Sequence, residues 1–310
     1  MPQRKDCYDT HFLINSYAGK RTFADGLRKK LKEMPNLHYF VFNTRRAGEE
    51  GNLIRQIQEI FEDEKLRFYC CGGSGTMRNV LNGFDSLENV EIAFYPCGLT
   101  NDFIKVFGAD AERFRDIREL IYGDVIEVDY IRSNAGVMLN TFSMGMDTIT
   151  VRDMERLRFL RVISDNLPYN LGVVHALLST GTQNYILETE GGVYQGKVTE
   201  LFFGNGNVLG GNLYFFEHAD PVDGKAGFRL IKQRPGFGCI PVMIALIKKD
   251  YKYLKKVSVV EKTRFLKLRR EDGGEILINQ DGELVRGIRE WTAEIVPKGL
   301  KLIVPKGVRL

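Results

Sequence analysis

A glycine-rich stretch directly after an apolar run is the part of the sequence most suggestive of chemistry. The apolar run Leu66 to Cys71 is followed by Gly-Gly-Ser-Gly-Thr at positions 72–76. Glycines let backbone N–H groups approach phosphate oxygens closely, and a helix beginning here would add the positive end of its dipole. Many strand–helix turns use glycine for steric reasons only, so this loop alone leaves a phosphate-binding and a purely structural interpretation open.

A second polar loop follows the next apolar run. Residues 95–103 read Tyr-Pro-Cys-Gly-Leu-Thr-Asn-Asp-Phe, so that a proline ends a strand, Gly98 opens a turn, and Asn101 and Asp102 stand where a helix would begin. Either polar residue could simply be a helix N-cap. Two such loops after successive parallel strands would both open at the carboxyl edge of the sheet, where ligands bind in folds of this kind.

The elements that must position these loops alternate between strand and helix over roughly the first 130 residues. The predicted strands are His11 to Asn15, His38 to Phe42, Leu66 to Cys71 and Glu91 to Tyr95. Between them, Phe23 to Met34 and Asn52 to Phe61 carry apolar residues at helical spacing. This alternation predicts a mostly parallel sheet with helical cover.

From about Val125 the pattern changes to strands that follow one another. The predicted strands are Val125 to Arg132, Gly136 to Phe142, Tyr185 to Thr189, Lys197 to Phe203 and Gly227 to Ile231, with helices at Arg152 to Phe159 and Tyr169 to Ser179. Strands without regular helical crossovers favour an antiparallel sandwich or barrel. The sequence therefore predicts a second domain that begins within residues 125–133.

Several motifs in a fixed order resemble the diacylglycerol kinase catalytic family, which includes bacterial lipid kinases and the sphingosine and ceramide kinases. The two loops resemble its GGDGT and GTxND motifs, and Leu13 to Lys20 resembles its opening NPxxGK segment. Leu139 to Asp147 resembles its N-x-x-S-x-G-x-D strand. Further similar segments are Gly210-Gly211 followed by Ala219 to Gly224, and Gln280 to Glu283, which contains the family's DGE.

The resemblance implies a phosphofructokinase-like nucleotide-binding α/β domain joined to an antiparallel β-sandwich domain. The first domain would comprise residues 1–130 together with a returning segment, residues 292–310, and the lipid-substrate domain would comprise residues 131–291. Members of the family use ATP and Mg²⁺ to transfer the γ-phosphate to a lipid hydroxyl, such as that of diacylglycerol. A lipid substrate at the membrane surface is the implied partner.

The resemblance also implies a set of site residues. The implied nucleotide contacts are Asn15, Lys20, Thr44, Gly72, Gly73, Ser74, Gly75, Thr76, Asn101 and Asp102. The catalytic base would be Asp281, with Glu283 beside it, and the metal-linked acids would be Asp102, Asp129 and, at a structural site, Asp223. By residue type alone, the Asp-Gly pairs at 281–282 and 223–224 indicate hairpin turns.

Two positions depart from the family pattern. Ser74 stands where GGDGT has its aspartate, and a serine hydroxyl cannot supply the negative charge that helps to anchor hydrated magnesium. Leu99 occupies the usual place of the threonine in the second motif, and Thr100 follows one residue later. A non-catalytic nucleotide- or lipid-binding relative therefore remains an alternative. An NAD kinase-like enzyme is a further one, disfavoured by the second loop and the late Asp-Gly-Glu.

Composition narrows the class of protein. The 310 residues are 44% hydrophobic and 27% charged, with a net charge of +4, which describes a globular chain and gives no signal for nucleic acid. Its apolar runs are strand-sized and its N-terminus lacks a signal-peptide core, so we expect a cytoplasmic protein without a transmembrane segment. Basic residues cluster at 248–270, which would suit peripheral contact with anionic lipid, although most such clusters are solvated faces. A homodimer is compatible with the sequence.

Overall fold

The computed structural model describes residues 9–15, 23–34, 36–46, 48–61, 65–98, 101–157, 167–179, 183–234 and 236–310. The chain divides into two compact units, one of Met1–Asp129 with Pro297–Leu310 and one of Tyr130–Val296. The sequence placed these boundaries after residues 130 and 291. The assignment of a nucleotide domain and a lipid domain to the two parts stays a prediction.

The first unit contains a parallel sheet. Its strands are β1 (Asp9–Asn15), β2 (Tyr39–Thr44), β3 (Leu66–Gly72), β4 (Val90–Pro96) and the end of β17 (Glu290–Val304), in the spatial order β2–β1–β3–β4–β17. All four neighbouring pairs are parallel. Their carboxyl ends therefore meet at one edge, where Asn15 pairs with Thr44 and Gly72 with Pro96.

The helices of this unit connect the strands as the alternating pattern predicts. They are α1 (Phe23–Lys32), α2 (Glu50–Ile60), α3 (Ser74–Leu81), a 3₁₀ helix (Phe103–Arg115) and α4 (Ile117–Ile121). Strand β3 lies between β1 and β4 in the interior of the sheet. Its side chains are buried on both faces of the sheet. Cys70 and Cys71 are core residues, and burial raises the pKa of both thiols well above the ordinary value.

The second unit is built mainly from antiparallel strands. They are β5 (Asp124–Ser133), which enters from the first unit, β6 (Gly136–Met138), β7 (Thr141–Gly145), β8 (Asn184–Thr189), β9 (Gly192–Gly204), β10 (Val208–Leu209), β11 (Leu213–Tyr214), β12 (Ala226–Lys232), β13 (Ser258–Thr263), β14 (Phe265–Arg270), β15 (Ile276–Gln280), β16 (Glu283–Ile288) and the beginning of β17. Its helices are α5 (Met146–Arg156), α6 (Leu167–Ser179), α7 (Ile240–Lys248), α8 (Tyr251–Val257) and a 3₁₀ helix at Gly236–Cys239.

The long strand β9 organises this unit. Its first half pairs with β8, and its second half pairs with β7 on one side and β12 on the other. The strands enclose a core in which Trp291 is fully buried and stacks on Phe142, with ring centroids 3.9 Å apart. Such aromatic pairs add about 1 kcal/mol to the free energy gained by burial. The mixed α/β composition is thus confirmed, whereas the phosphofructokinase-like and β-sandwich descriptions stay predictions.

The structure corrects two predicted elements. Gly136 to Phe142 is not one strand, because the backbone N–H groups of residues 139–141 bind the Asp281 carboxylate and separate β6 from β7. The helix predicted at Arg152 to Phe159 begins earlier, at Met146, because Gly145 has a φ of 131° and its N–H is bound by the Thr148 hydroxyl. Phe159 itself lies outside the described residues.

None of the helices in the described part of the chain combines the length and the hydropathy that a bilayer crossing requires.

Candidate functional site

A single residue of the glycine loop, Gly73, joins β3 to α3. Gly73 is the N-cap of α3 in an extended conformation, and the first intrahelical bond runs from Met77 N to Gly73 O (3.0 Å). The N–H groups of Ser74, Gly75 and Thr76 therefore stand in the first turn, where a helix has no internal acceptors for them. Residues 73–75 are partly exposed. This geometry suits an anion at the end of the strand.

The second loop packs directly on the first. Cys97 and Gly98 donate backbone hydrogen bonds to the carbonyl of Gly72, at 2.8 and 3.2 Å. A Cβ atom on Gly98 would lie 2.5 Å from the Cα of Gly73, and one on Gly72 would lie 2.5 Å from the Cβ of Thr76. The glycines at 72 and 98 are thus required by close approach. The structure brings the two loops together at one edge, as the parallel topology predicts.

Asn101 and Asp102 are held within the second loop. The Asn101 amide accepts from Gly98 N (3.2 Å) and donates to Gly98 O (3.0 Å), which closes the turn. Asp102 is the N-cap residue of the 3₁₀ helix, as one interpretation of the sequence had it, but its side chain forms no capping hydrogen bond. Its carboxylate is buried and forms an ion pair with Lys105 at 3.1 Å.

Two further predicted nucleotide contacts lie at or near the same edge. The backbone of Asn15 pairs with that of Thr44, and the Thr44 hydroxyl is buried without a hydrogen-bond partner in the part of the chain that the structure describes. Lys20 lies outside the described residues. Arg45 and Arg46, which the sequence reasoning missed, follow Thr44 directly and are exposed. Their position shortly after the strand predicted at His38 to Phe42 was the signal that could have identified these two cations.

The predicted metal-linked acids do not form a cluster. No group of three or more His, Cys, Asp or Glu side chains is placed to hold a metal ion among the residues described. Asp129 is fully buried and accepts the N–H of Lys298 at 2.7 Å, where that residue has a positive φ of 51°. Asp223 accepts the N–H of Lys225 and pairs with Lys262. Of the three acids, Asp102 lies closest in sequence to the paired loops, and its role toward Mg²⁺ stays a prediction.

Asp281 occupies a defined place in the second unit. It forms the turn between β15 and β16 with Gly282, and both have positive φ (49° and 93°), as the Asp-Gly pair predicts. Its carboxylate is 4% exposed and accepts backbone hydrogen bonds from Leu139 (2.7 Å), Asn140 (3.0 Å) and Thr141 (2.7 Å). The structure thus joins two motifs that are about 140 residues apart. Glu283, the other predicted catalytic acid, is exposed.

A polar network extends from this turn. Gly282 N donates to the Asn279 side chain, whose amide donates to Asp147 Oδ2 at 3.1 Å. Ser143 donates to the same Asp147 oxygen at 2.6 Å. Asp147, which the sequence reasoning left without a role, is therefore connected to the Asp281 turn.

Glu200 lies beneath this network. It is 2% exposed, its Oε2 accepts the N–H of Asp147 (2.9 Å), and its Oε1 has no hydrogen-bond partner among the described residues. Burial raises the pKa of Glu200 well above its ordinary value of 4.5, and the neighbouring Asp147 carboxylate raises it further. The surroundings of Glu200 therefore favour its neutral form over its charged form.

Comparison with known proteins agrees with the motifs. Residues 9–133 match the family model of the diacylglycerol kinase catalytic domain. The chain is 25% identical over 269 residues to the probable lipid kinase YegS-like of Shewanella frigidimarina, which covers 85% of this chain and 84% of that protein. It is 35% identical over 98 residues to the proposed lipid kinase YtlR of Bacillus subtilis, a match that spans 31% of this chain and only 32% of that protein.

A solved structure shares the fold. A diacylglycerol kinase from Bacillus anthracis superimposes with a TM-score of 0.67 at 18% identity, covering 97% of this chain and 98% of that one. The resemblance to the diacylglycerol kinase catalytic family is confirmed by the family model and by the match to the YegS-like protein.

The hydrogen bonds of Asp281 predict a loss of stability when its charge is removed. Asp281→Asn would turn an amide NH₂ toward backbone N–H donors, and the free energy of unfolding should fall by about 2 kcal/mol. Chemical denaturation followed by the fluorescence of Trp291, the sole tryptophan, reports on this unit. Asp272→Asn, in an exposed turn, is the matched control and should stay close to wild type. Equal, small effects of both substitutions would contradict the role of Asp281.

The buried acid predicts a pH-dependent stability. Below pH 4.5 Glu200 is protonated in both the folded and the unfolded chain, so it does not make the free energy of unfolding depend on pH. As pH rises above this value, only the unfolded chain releases the proton, and the free energy of unfolding falls by up to about 1.4 kcal/mol per pH unit. Glu200→Gln does not titrate, so its free energy of unfolding relative to wild type should rise between pH 5 and pH 8. The exposed Glu127→Gln should show no such trend. A gap for Glu200→Gln that is the same at both pH values would refute the assignment.

Proposed function

We propose that this protein is an ATP-dependent lipid kinase that transfers the γ-phosphate to a lipid hydroxyl, such as that of diacylglycerol. The observation that carries the proposal is the pair of loops at the carboxyl edge of β3 and β4, in which glycine backbones and the first turn of α3 provide donors for phosphate oxygens. In the strand order 2-1-3-4, the chain leaves β1 and β3 in opposite directions. The glycine loop therefore lies at the switch point where ligands bind in such sheets.

Several residues at this edge fit a nucleotide triphosphate. Ser74, Gly75 and Thr76 would donate backbone hydrogen bonds. The Thr44 hydroxyl, which has no hydrogen-bond partner among the described residues, fits a ligand oxygen. Asn15 and Lys20 are proposed contacts from the resemblance. Arg45 and Arg46 add positive charge that suits the phosphates. Asn101 would act by holding the second loop closed over Gly72.

The donor set fits magnesium only in part. Mg²⁺ bound with ATP supplies charge neutralisation of the transferred phosphoryl group. Asp102 is the acid next to the paired loops that could hold it through water, and Ser74 offers only a neutral hydroxyl. We propose Asp102 as the main acidic residue toward the metal. For Asp129 and Asp223 the proposal rests on the resemblance alone.

Proton removal from the acceptor hydroxyl is assigned to the Asp281–Glu283 turn. Asp281 is the base by resemblance, but three backbone N–H groups occupy its oxygens, and these bonds must weaken before it accepts a proton. Glu283 is exposed and lies two residues away. Phosphate transfer from labelled ATP to diacylglycerol, monoacylglycerol, phosphatidylglycerol, sphingosine and NAD, assayed with Mg²⁺, tests the reaction. ATP binding without transfer to any acceptor would favour the non-catalytic alternative.

The close packing of the glycine loop at residues 72–76 predicts that a side chain at position 73 blocks nucleotide binding. Gly73 has a φ of −101° and a ψ of −176°, which valine also adopts, so Gly73→Val is not strained in its backbone. It should weaken ATP binding by more than about tenfold in calorimetric titration, because the side chain competes with the phosphates for space. Gly26→Ala, a helical glycine with open space around it, is the control and should bind as wild type does. Unchanged affinity in folded Gly73→Val would place the nucleotide elsewhere.

The serine at position 74 predicts an unusual magnesium requirement. Restoring a carboxylate with Ser74→Asp puts a negative charge in the first turn of α3 and should lower the magnesium concentration for half-maximal activity several-fold. A magnesium titration of both proteins measures it, with Ser86→Asp, an exposed serine of the same unit, as the control. If wild type already saturates at ordinary magnesium and Ser74→Asp impairs turnover, the idea of a weakened metal site is wrong.

A further inference from the structure

Exposed apolar side chains lie on two helices of the second unit, α6 and α7, which both pack against one small buried cluster. On α7, Ile240, Ile244 and Ile247 are 38%, 46% and 45% exposed, and their spacing of four and three residues places them in one stripe along the helix. Phe237, in the preceding 3₁₀ helix, is 74% exposed. The opposite face of α7 is buried through Val242, Ala245 and Leu246, so the stripe is not part of the core.

The neighbouring helix α6 carries a similar stripe. Leu171, Val174 and Leu178 are 40%, 54% and 68% exposed and are spaced by three and four residues. Leu177 of α6 belongs to a small buried cluster, and the partly buried Met243 of α7 packs against the same cluster. We call the seven exposed side chains the α6–α7 surface; its members are Leu171, Val174, Leu178, Phe237, Ile240, Ile244 and Ile247.

This surface is an unusual concentration of apolar side chains. It holds seven of the fifteen large hydrophobic residues that are exposed in the described part of the chain, although its segments are short. Scattered exposed hydrophobic residues are ordinary, but a group on packed helices usually marks an interaction site.

Positive charge borders the same surface. From Gly236 to Val257 the chain contains five lysines and one acid, Asp250. All five lysines (248, 249, 252, 255 and 256) are exposed at the end of α7 or on α8. Lys255 forms an ion pair with Glu217 at 3.6 Å, and the Lys249 ammonium lies 4.0 Å from the centre of the Tyr214 ring. The lysines at 248, 252 and 256 form no ion pair with a described residue.

We propose that the α6–α7 surface docks the protein on an anionic lipid bilayer, with its isoleucines and Phe237 in the interface and its lysines against the headgroups. Apolar side chains beside clustered lysines match a bilayer surface in both respects, because one part favours the acyl boundary and the other the anionic headgroups. A second copy of this chain is a less suitable partner, because the five lysines of one copy would face the five lysines of the other and repel them. The choice of a bilayer rests on the proposed lipid kinase function, since its acceptor would reside in a membrane.

The docking surface is tested by vesicle sedimentation without nucleotide. The vesicles consist of phosphatidylcholine with or without about 30% phosphatidylserine. Neither lipid has a free hydroxyl that could accept a phosphate, so the binding measured does not depend on kinase activity. Ile244→Gln/Ile247→Gln should weaken binding about tenfold or more, and Lys252→Gln/Lys256→Gln about 30-fold, at low salt. The matched controls are Ile60→Gln/Val193→Gln, both residues 69% exposed, and Lys29→Gln/Lys32→Gln of α1.

The outcomes separate the possible occupants. Loss of binding in both test variants with wild-type binding in both controls supports the bilayer. Wild-type binding in the test variants overturns the proposal, and so does equal binding of the wild type to vesicles with and without phosphatidylserine. If the apolar variant changes the mass in sedimentation velocity without altering vesicle binding, the surface joins two copies of the chain. Circular dichroism confirms that each variant is folded.

Discussion

The close approach of two loop backbones at the carboxyl edge of the parallel sheet constrains most of the first unit. Cys97 and Gly98 bind the carbonyl of Gly72, and no Cβ fits at position 72 or 98 without moving a neighbour. Because these contacts fix the end of β3, they also fix where α3 begins and where the N–H groups of its first turn point. The phosphate contacts proposed for this edge come from backbone N–H groups, so they do not require an aspartate at position 74, unlike the proposed contact to magnesium.

A carboxylate has the corresponding organising role in the second unit. Asp281 gathers three backbone donors from residues 139–141 and thereby ends β6, begins β7 and fixes the β15–β16 turn. A buried charge needs this degree of hydrogen bonding because water cannot reach it. The network continues through Asn279 to Asp147, whose N–H donates to Glu200, and burial raises the pKa of that acid. Structural and catalytic interpretations of Asp281 are therefore compatible, since a turn held in this way also holds Glu283 in place.

The lysines near the end of α7 show how surroundings change the meaning of a charge pattern. In the sequence they are a basic cluster, which most often is a solvated face. In the structure the isoleucines that precede them on α7 are exposed to solvent. The apolar and the basic side chains are therefore neighbours in the proposed α6–α7 surface. Amphipathic character at a scale larger than one helix is what a bilayer boundary selects.

The sequence by itself determined the local elements, the order of the motifs and the family resemblance. Strand and helix periodicity located β1 to β4 to within two residues, and glycine, proline and Asp-Gly chemistry located the turns, because these depend on the backbone preferences of a few adjacent residues. Tertiary structure alone decided what touches what. The division of Gly136 to Phe142 into two strands depends on the hydrogen bonds to Asp281. The raised pKa of Glu200 depends on its burial next to Asp147. The exposure of the α7 isoleucines likewise depends on which face of the helix packs. Such contacts join residues far apart in the chain, and no local pattern records them.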